Sequence, residues 1–309
     1  MFRRAGHEPV KLGGGLRFLN HFVDRSSAPS GARVGRSPVD LVFNMAEGRG
    51  SRSREAHVPA VCEMFGLSYT HGDPLALALS LDKALCKRVV ASYGVPVSPS
   101  VVIEDMEELE SAALPPFPVL AKPAWAGSSM GIRNRARCTS KSELADQVSA
   151  LLSGYRQPVL IEPFLSGAEV TVGILGTGAS ARVVGVMEIA PRSAALDTFL
   201  YSLEVKRNYL QEVEYHVPPR LPPQMPERIS QMALIAYRAL GCRDIGRVDV
   251  RMDSRGQPFF IEMNPLPGLH PVDGDFPILW RRLGHSYDEL ILAVLESSAA
   301  RWGTIVPGS

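Results

Sequence analysis

The 309-residue sequence predicts a mixed α/β (α+β) protein built from three compact units. Segments with a helical spacing of apolar residues alternate with short apolar runs of strand length along the chain. The last third also contains two alternating runs joined by a short polar turn, which is typical of a β-hairpin. We place the three units at residues 1–72, 73–158 and 159–309.

The composition narrows the class of protein. With 33 basic and 32 acidic residues the net charge is +1, which gives no electrostatic reason to expect nucleic acid or an anionic membrane as partner. The four cysteines form no C-x-x-C pair, which favours reduced thiols over disulfides or a zinc site. No apolar run approaches the ~20 residues that span a bilayer, and the N-terminus lacks a signal-peptide pattern. We expect a soluble, cytoplasmic protein.

The first unit is predicted to be a small α/β piece. The apolar run 38–43 suits a buried parallel strand, and the spacing over 58–65 predicts a helix. Residues 2–7 have the pattern of a helix end stopped by Gly6, with a strand expected at 8–12. A parallel sheet would place a strand before that helix, and its absence indicates that this unit is shortened.

The second and third units are predicted to contain most of the regular structure. In the second unit we expect helices at 74–93, 105–113 and 142–152, and strands at 100–103 and 117–123. In the third unit we expect strands at 159–165, 168–175 and 182–189, a helix at 227–240, a hairpin at 246–252 and 258–263, and a closing helix at 286–300.

The hairpin carries an unusual set of polar side chains. Side chains alternate between the faces of a strand, so Arg247, Asp249 and Arg251 share one face. Glu262 and Asn264 share a face on the partner strand for the same reason. Two carboxylates and an amide oxygen form a hard, oxygen-only donor set, which suits Mg²⁺ bridging nucleotide phosphates. The alternative is a solvated hairpin face with a surface ion pair.

The register of the hairpin decides whether these groups meet. We expect the turn to pair Met252 with Gln257. Arg247 then lies opposite Glu262, and all the polar groups of the two strands point to one side.

Two lysines and a glycine-rich loop are candidate phosphate contacts. Lys122 ends a strand and precedes the loop 126–132, whose backbone N–H groups can wrap phosphate oxygens. Lys83 on the long helix is a second candidate. The plainer explanations are a flexible connection for the loop and a solvated helix position for Lys83. The sequence contains no P-loop, no dinucleotide-binding fingerprint and no arguable Ser–His–Asp set.

Seven features follow one another along the chain: Lys83, Lys122, the Gly/Ser loop after it, Glu162-Pro-Phe-Leu165, Glu169, Arg247-x-Asp249 and Glu262-x-Asn264-Pro-Leu-Pro-Gly268. In this order they resemble the D-alanine–D-alanine ligase branch of the ATP-grasp family, over about residues 39–295. The resemblance implies an ATP-grasp fold of three domains, with ATP held between the central and C-terminal units. It also implies that an acyl phosphate forms from a carboxylate and ATP and is then attacked by an amine, and it suggests a homodimer.

The resemblance assigns a role to each matched position. ATP would be held by Lys83, Lys122, Gly127, Ser128, Ser129, Glu162, Phe164, Leu165 and Glu169, with Glu162, Phe164 and Leu165 at the adenine and Glu169 at the ribose. Asp249, Glu262 and Asn264 would bind two Mg²⁺ ions, or Mn²⁺. Arg247 and the backbone N–H of Gly268 would hold the developing oxyanion, and Ser128 and Lys206 would assist catalysis.

The sequence departs from the family pattern where the amino-acid substrates would bind. The N-terminal glutamate that orients the first substrate's ammonium is missing, and Glu47, Arg54 and Glu55 are its candidate replacements. The family's Lys-Tyr pair on a mobile loop is replaced by Lys206-Arg207.

The third departure concerns the second substrate. The serine that receives that substrate's carboxylate is absent, and the segment from His270 to Pro277 is one residue longer than the family pattern. Asp273 and Asp275 in this segment would repel a carboxylate and prefer an amine or a hydroxyl. The alternative is that these acids face solvent or cap the next helix.

We therefore expect an ATP-dependent ligase that joins two amino acids and releases ADP and phosphate. A ligase for another amino acid or amine in a biosynthetic pathway fits the departures. A catalytically silent ATP-binding module that regulates a partner is a different class, as is a purely structural α/β protein.

Overall fold

Two antiparallel sheets and the helices around them form the protein, and the mixed α/β class is confirmed. A computed structural model describes residues 1–26, 39–127, 131–132 and 134–303. The helices are α1 (Leu16–Ser26), α2 (His57–Met64), α3 (Pro74–Leu81), α4 (Lys83–Ser92), α5 (Met106–Ser111), α6 (Lys141–Tyr155), α7 (Leu203–Arg207), α8 (Tyr209–Glu212), α9 (Met225–Ala239), α10 (Asp275–Arg282) and α11 (Tyr287–Trp302). Within the described ranges, no helix has both the length and the apolar character that a bilayer crossing requires.

The strands belong to two separate sheets. They are β1 (Val101–Ile103), β2 (Val119–Pro123), β3 (Arg137–Cys138), β4 (Val159–Pro163), β5 (Glu169–Leu175), β6 (Arg182–Pro191), β7 (Val213–His216), β8 (Ile245–Met252) and β9 (Pro258–Asn264). The smaller sheet has the strand order β1-β4-β2-β3, and the larger sheet has the order β7-β6-β5-β8-β9.

The smaller sheet buries one face under α5 and α6. Side-chain oxygens of Asp105 and Ser140 accept hydrogen bonds from backbone N–H groups in the first turns of α5 and α6 and so begin both helices. Leu144 and Val148 of α6 pack with Ile161 of β4 in one apolar cluster. The opposite face of this sheet is left for the polar side chains described below.

The larger sheet separates an apolar core from a polar face. Val170 and Val172 of β5 and Val248 of β8 join the core that α9 covers, because alternate residues of each strand point to that side. On the other face, α10 lies close to Gly173, where a Cβ would stand only 2.9 Å from the Leu279 side chain. This glycine therefore serves helix packing and not a nucleotide fingerprint.

The predicted long helix over 74–93 is wrong in one respect, because it is two helices. Asp82 interrupts it with extended backbone angles (φ −85°, ψ 97°) and becomes the N-cap of α4, where its carboxylate accepts from the Leu85 N–H at 3.0 Å. Lys83 is consequently the first residue of a new helix.

The first unit contains less strand than predicted. Val42 forms only a single parallel bridge to Tyr69, the rest of 39–43 is not a strand, and Pro38 lies outside the described residues. Residues 8–12 form no strand. The turn at Gly6 is confirmed, with φ at 82°, but the helix α1 was not predicted.

The predicted division of the chain into 1–72, 73–158 and 159–309 stays a prediction. Strand β4, which we assigned to the start of the third unit, pairs with β1 and β2 in the smaller sheet. This pairing favours a boundary after Pro163. The sequence patterns also missed β7, α7, α8 and α10.

A buried carboxylate joins the first unit to the end of the chain. Asp244 accepts hydrogen bonds from the His71 N–H at 2.9 Å and from the hydroxyls of Thr177 and Ser297, both at 3.1 Å. The Arg301 guanidinium of α11 lies 2.9 Å from the second carboxylate oxygen, and the Asp244 side chain has no exposed surface. One side chain therefore satisfies donors from three parts of the chain.

We expect Asp244→Ala to lower the free energy of unfolding by about 3–5 kcal/mol, because it leaves a mostly buried guanidinium without its counter-charge. Urea unfolding followed by circular dichroism measures this loss. The control is Asp288→Ala, which breaks an exposed ion pair with Arg4 and should cost at most about 1 kcal/mol. Similar small losses in both variants would contradict the assignment.

Candidate active site

The hairpin β8–β9 brings four polar side chains to one place on the larger sheet. The predicted register is wrong: Met252 pairs with Pro258, and Arg247 lies opposite Asn264 instead of Glu262. A β-bulge after Asp249 inserts one extra residue on β9, Ile261, which restores the side chains to the predicted face. The expectation that these groups meet is therefore confirmed by a different register.

Direct hydrogen bonds join these groups. The Arg247 guanidinium donates two bonds to Asp249, at 2.9 and 2.8 Å. The Asn264 amide nitrogen lies 3.2 Å from an Asp249 oxygen and 3.3 Å from a Glu262 oxygen. The Thr171 hydroxyl of β5 also donates to Asp249, at 2.7 Å. The convergence of two carboxylates around one amide is the central feature of the site.

The chemistry of this donor set fits a hard divalent cation. Asp249 and Glu262 offer carboxylate oxygens as ligands. Asn264 offers its amide oxygen after a half-turn of the amide, which exchanges the positions of its oxygen and nitrogen. Arg247 already contacts the Asp249 carboxylate, and Lys83 already contacts that of Glu262. A metal ion bound here would therefore share the two carboxylates with these two cations.

Lys83 reaches the site from the start of α4. Its ammonium lies 2.8 Å from Glu262 and donates to the Ala126 carbonyl at 2.7 Å, at the beginning of the glycine-rich loop. Burial alone would raise the pKa of Glu262, but the nearby cations Lys83 and Arg247 outweigh burial and hold that pKa well below its usual range. Glu262 is therefore a charged, fully compensated carboxylate.

A second buried cluster lies in the smaller sheet, centred on Glu162 of β4. Lys122 of β2 lies 2.5 Å from one Glu162 oxygen, and Lys87 of α4 contacts the other. The Ser98 hydroxyl lies 2.9 Å from both Lys87 and Glu162. Burial would raise the pKa of Glu162, but the two lysines hold it well below its ordinary value. Two lysines thus share one buried carboxylate, and burial lowers the pKa of Lys87 against the opposing attraction of Glu162.

Sequence reasoning missed Lys87, although a signal was present. Lys87 follows Lys83 by four residues, so both ammonium groups project from the same side of α4. Lysine pairs at this spacing are common on solvated helices, so the spacing alone does not indicate a buried site.

A small cavity between the sheets is lined by the residues predicted to hold a nucleotide. Its lining includes Lys122, Glu162, Phe164, Leu165 and Glu169. Arg251, which the sequence placed on the polar face without a role, lies 3.0 Å from Glu169 and 4.9 Å from the Phe164 ring centre. Burial raises the pKa of Glu169, with Arg251 opposing that rise. Five of the predicted nucleotide residues thus share one pocket, whereas Lys83 and Gly127 line the adjoining cavity.

An adjoining cavity of about 210 Å³ collects the predicted substrate residues. Its lining includes Glu47, Arg54, Glu55, Gly127, Lys206, Gly268, His270, Asp273 and Asp275, together with Lys83, Arg247, Glu262 and Asn264. Ser128 and Ser129 lie outside the described residues. Arg207 is exposed and does not appear in the lining of either cavity.

The two aspartates of the 270–277 segment have different surroundings. Asp275 is 7% exposed and lies 3.3 Å from Arg247 and 4.0 Å from Lys206. The Tyr201 hydroxyl donates to it at 3.1 Å. Asp273 is exposed and pairs with His270 at 2.5 Å. The alternative that these acids simply face solvent is therefore wrong for Asp275, whereas Asp273 does face solvent.

Residues 89–296 match the family model described as D-ala D-ala ligase C-terminus. The D-alanine–D-alanine ligase of Bordetella avium is 33% identical over 258 residues, covering 82% of this chain and 76% of the relative. That of Bordetella petrii is 31% identical, covering 87% and 79%.

Solved structures give the same fold. The VanG D-Ala:D-Ser ligase of Enterococcus faecalis superposes with a TM-score of 0.67 at 26% identity, covering 84% of this chain and 73% of that one. The D-alanine–D-alanine ligase of Bacillus anthracis, solved as an ATP complex, has a TM-score of 0.65 at 22% identity, covering 85% and 80%. The predicted ATP-grasp fold is confirmed.

We expect Glu162→Gln to destabilise the protein by about 3–5 kcal/mol at neutral pH, because two buried ammonium groups lose their counter-charge. Because the pKa of Glu162 is lower in the folded than in the unfolded protein, its contribution to stability is fully present above the unfolded value of about 4.3. That contribution is lost as the pH falls further. The melting temperatures of wild type and variant should therefore approach each other between about pH 4.5 and 3. Glu110→Gln, at an exposed position of α5, is the control and should show neither effect.

Proposed function

The chain belongs to the D-alanine–D-alanine ligase family, and from that premise we propose that it is an ATP-dependent ligase that joins a carboxylate to an amine. The proposal includes an acyl phosphate intermediate and the release of ADP and phosphate. The two substrates are proposed to differ from two D-alanines, because the candidate replacements Glu47 and Glu55 and the altered segment with His270, Asp273 and Asp275 line the substrate cavity. A solved neighbour of the chain is a D-Ala:D-Ser ligase, which supports varied substrates in this fold.

One observation carries the proposal. The positive charges of Lys83, Arg247 and Lys122 all lower the pKa of Glu262. Asp249 and Asn264 line the same cleft, which is formed by the two adjoining cavities. Cations and oxygen donors arranged in this way suit the binding of a nucleotide triphosphate together with its metal. A solvated hairpin face would not need this arrangement, since Arg247 is 7% exposed.

The proposed reaction has two halves. In the first, an oxygen of the substrate carboxylate bonds to the γ-phosphorus of ATP while the bond to ADP breaks, which gives the acyl phosphate. In the second, the amine nitrogen bonds to the acyl carbon and the carbon–oxygen bond to phosphate breaks. An ammonium substrate gives up two protons, one to the departing phosphate and one to solvent.

The residues of the nucleotide end would position the phosphates. Lys83 and Lys122 would contact phosphate oxygens, and Glu162 would keep Lys122 in place. Asp249, Glu262 and Asn264 would hold two Mg²⁺ or Mn²⁺ ions, which neutralise the phosphate charge that repels an incoming carboxylate. Among the other predicted contacts, Phe164 and Leu165 would line the adenine and Glu169 the ribose.

The residues of the substrate end would stabilise the acyl transfer. Arg247 and the backbone N–H of Gly268 would donate to the oxyanion of the tetrahedral intermediate. The loop from Gly127 to Gly131, including Ser128 and Ser129, would exclude water from the acyl phosphate. Lys206 lies beside these groups, and Glu47 and Glu55 are the candidate partners of the first substrate's ammonium.

A catalytically silent ATP-binding module is the alternative from a different class. Such a module would need the lysines but not Arg247 or the oxygen donors. ADP formation that depends on an added amino acid separates the two, because a silent module forms none.

We expect amino-acid-dependent ADP formation to require Mg²⁺ or Mn²⁺, and Asp249→Asn or Glu262→Gln to lower kcat by about 100-fold or more. Steady-state assays over a panel of D- and L-amino acids measure this. Glu188→Gln is the matched control, because this buried carboxylate of β6 pairs with Arg220 away from the site. Unchanged kcat in both site variants would refute the metal assignment.

Burial is the main cause that raises the pKa of Glu55 to about 7, with Glu47 and Glu262 adding to the rise against Arg54 and Lys83. A neutral Glu55 cannot hold an ammonium, and an ionised one can. We therefore expect KM for the first amino acid to fall as the pH rises from 6 to 8, while that ammonium stays charged. Glu55→Gln should have a higher KM that no longer depends on pH in this range. A wild-type KM independent of pH would exclude this role.

A further inference from the structure

Of the four lysines and arginines in the described lining of the substrate cavity, three are engaged by carboxylates of the protein, and the fourth, Arg54, donates to the Trp125 carbonyl at 2.9 Å. Lys83 is paired with Glu262 at 2.8 Å, and Arg247 with Asp249 at 2.8 Å. Lys206 and Arg247 both lie within 4.0 Å of Asp275. At the end of the cavity near Gly268, no lysine or arginine of the described lining is without an acidic partner.

Asp275 is built into this end of the cavity. It is the first residue of α10, where a carboxylate is favoured by the helix dipole. The Tyr201 hydroxyl donates to Asp275, and the Tyr215 hydroxyl lies 2.9 Å from that of Tyr201. These contacts therefore fix the Asp275 side chain between Arg247 and Lys206.

The position of Asp275 bears on the second substrate. If Arg247 holds the oxyanion, the acyl carbon that carries this oxygen is also bonded to the attacking nitrogen of the second substrate. Groups next to that nitrogen then lie close to Arg247 and Lys206. A carboxylate there would need an uncompensated cation, since burying it unpaired beside Asp275 is costly. Glu47, which lines the same cavity, adds further negative charge.

We propose that the second substrate is a primary amine without a carboxylate next to its reacting nitrogen, and that Asp275 determines this specificity. This inference rests on the proposed ligase function. The amine forms the C–N bond, phosphate leaves with the acyl oxygen, and the substituent near Asp275 is neutral or cationic, as in an amino alcohol or a diamine.

Matched acceptor pairs test the proposal on the intact enzyme. Each pair is an amino acid and its decarboxylated amine: serine and ethanolamine, lysine and 1,5-diaminopentane, alanine and ethylamine. With Mg²⁺-ATP and each donor amino acid in turn, phosphate release and product mass give kcat/KM for both members. We expect the amine to exceed its amino acid by about tenfold or more.

Two variants assign the preference to Asp275. Asp275→Asn and Asp275→Ser should lower absolute rates, because Arg247 loses a partner, and should shift the ratio at least about tenfold toward the amino acid. Asp273→Asn removes a charge from the same segment, but that charge is exposed and paired with His270, so the ratio should stay within about twofold.

The outcomes separate this inference from its premise. Product formation that favours amino acids over their amines overturns the inference and leaves the ligase function standing. A ratio that does not move in the Asp275 variants, or that moves equally in Asp273→Asn, overturns the role of Asp275. Absence of ADP formation with every donor overturns the proposed function itself.

Discussion

The position of α4 between the two sheets depends on two buried ion pairs, and the cleft depends on that position. Lys83 at the start of the helix pairs with Glu262 of the larger sheet, and Lys87 one turn later pairs with Glu162 of the smaller sheet. Removing either carboxylate would leave a buried ammonium without compensation, which is among the most costly defects in a protein interior. The helix therefore fixes the two sheets relative to each other through charge as well as through apolar packing.

Alternation along strands explains why so much of the site was predictable. Within each strand of the hairpin β8–β9, a period of two places Arg247 with Asp249 and Glu262 with Asn264, and whether the two pairs share a face depends only on whether the register shift is odd or even. The register itself was not predictable, because a bulge at Ile261 follows from packing around the strand and has no distinct local signal. The predicted register was displaced by one residue at the turn, and the bulge displaced it by one more. A total displacement of two residues leaves the side chains on the same face.

Features that depend on distant contacts were beyond local reasoning. Asp82 follows a leucine-rich helical pattern, and only its own capping bond to Leu85 shows that the helix is interrupted there. Tyr201 lies 74 residues before its partner Asp275, in a segment whose sequence predicted no regular structure. The acidic character of the 270–277 segment was visible in the sequence, whereas the engagement of Asp275 by Arg247 required the fold.

The two ends of the cleft differ in how their cations can be released. At the nucleotide end, Lys83 rests on Glu262, and Arg247, which lines the substrate cavity, rests on Asp249. Both carboxylates are also proposed metal ligands. Metal binding would give them a new partner and free Lys83 for phosphate, while Arg247 keeps Asp275 beside it, so no bare charge has to be buried at any stage. At the substrate end, Asp275 belongs to no proposed metal set, and the start of α10 and Tyr201 stabilise its charge. Lys206 therefore keeps its acidic neighbour when the nucleotide end is loaded, and an acceptor carboxylate gains no free cation from ATP binding. The same compensation that stabilises the charges of the cleft thus restricts the second substrate.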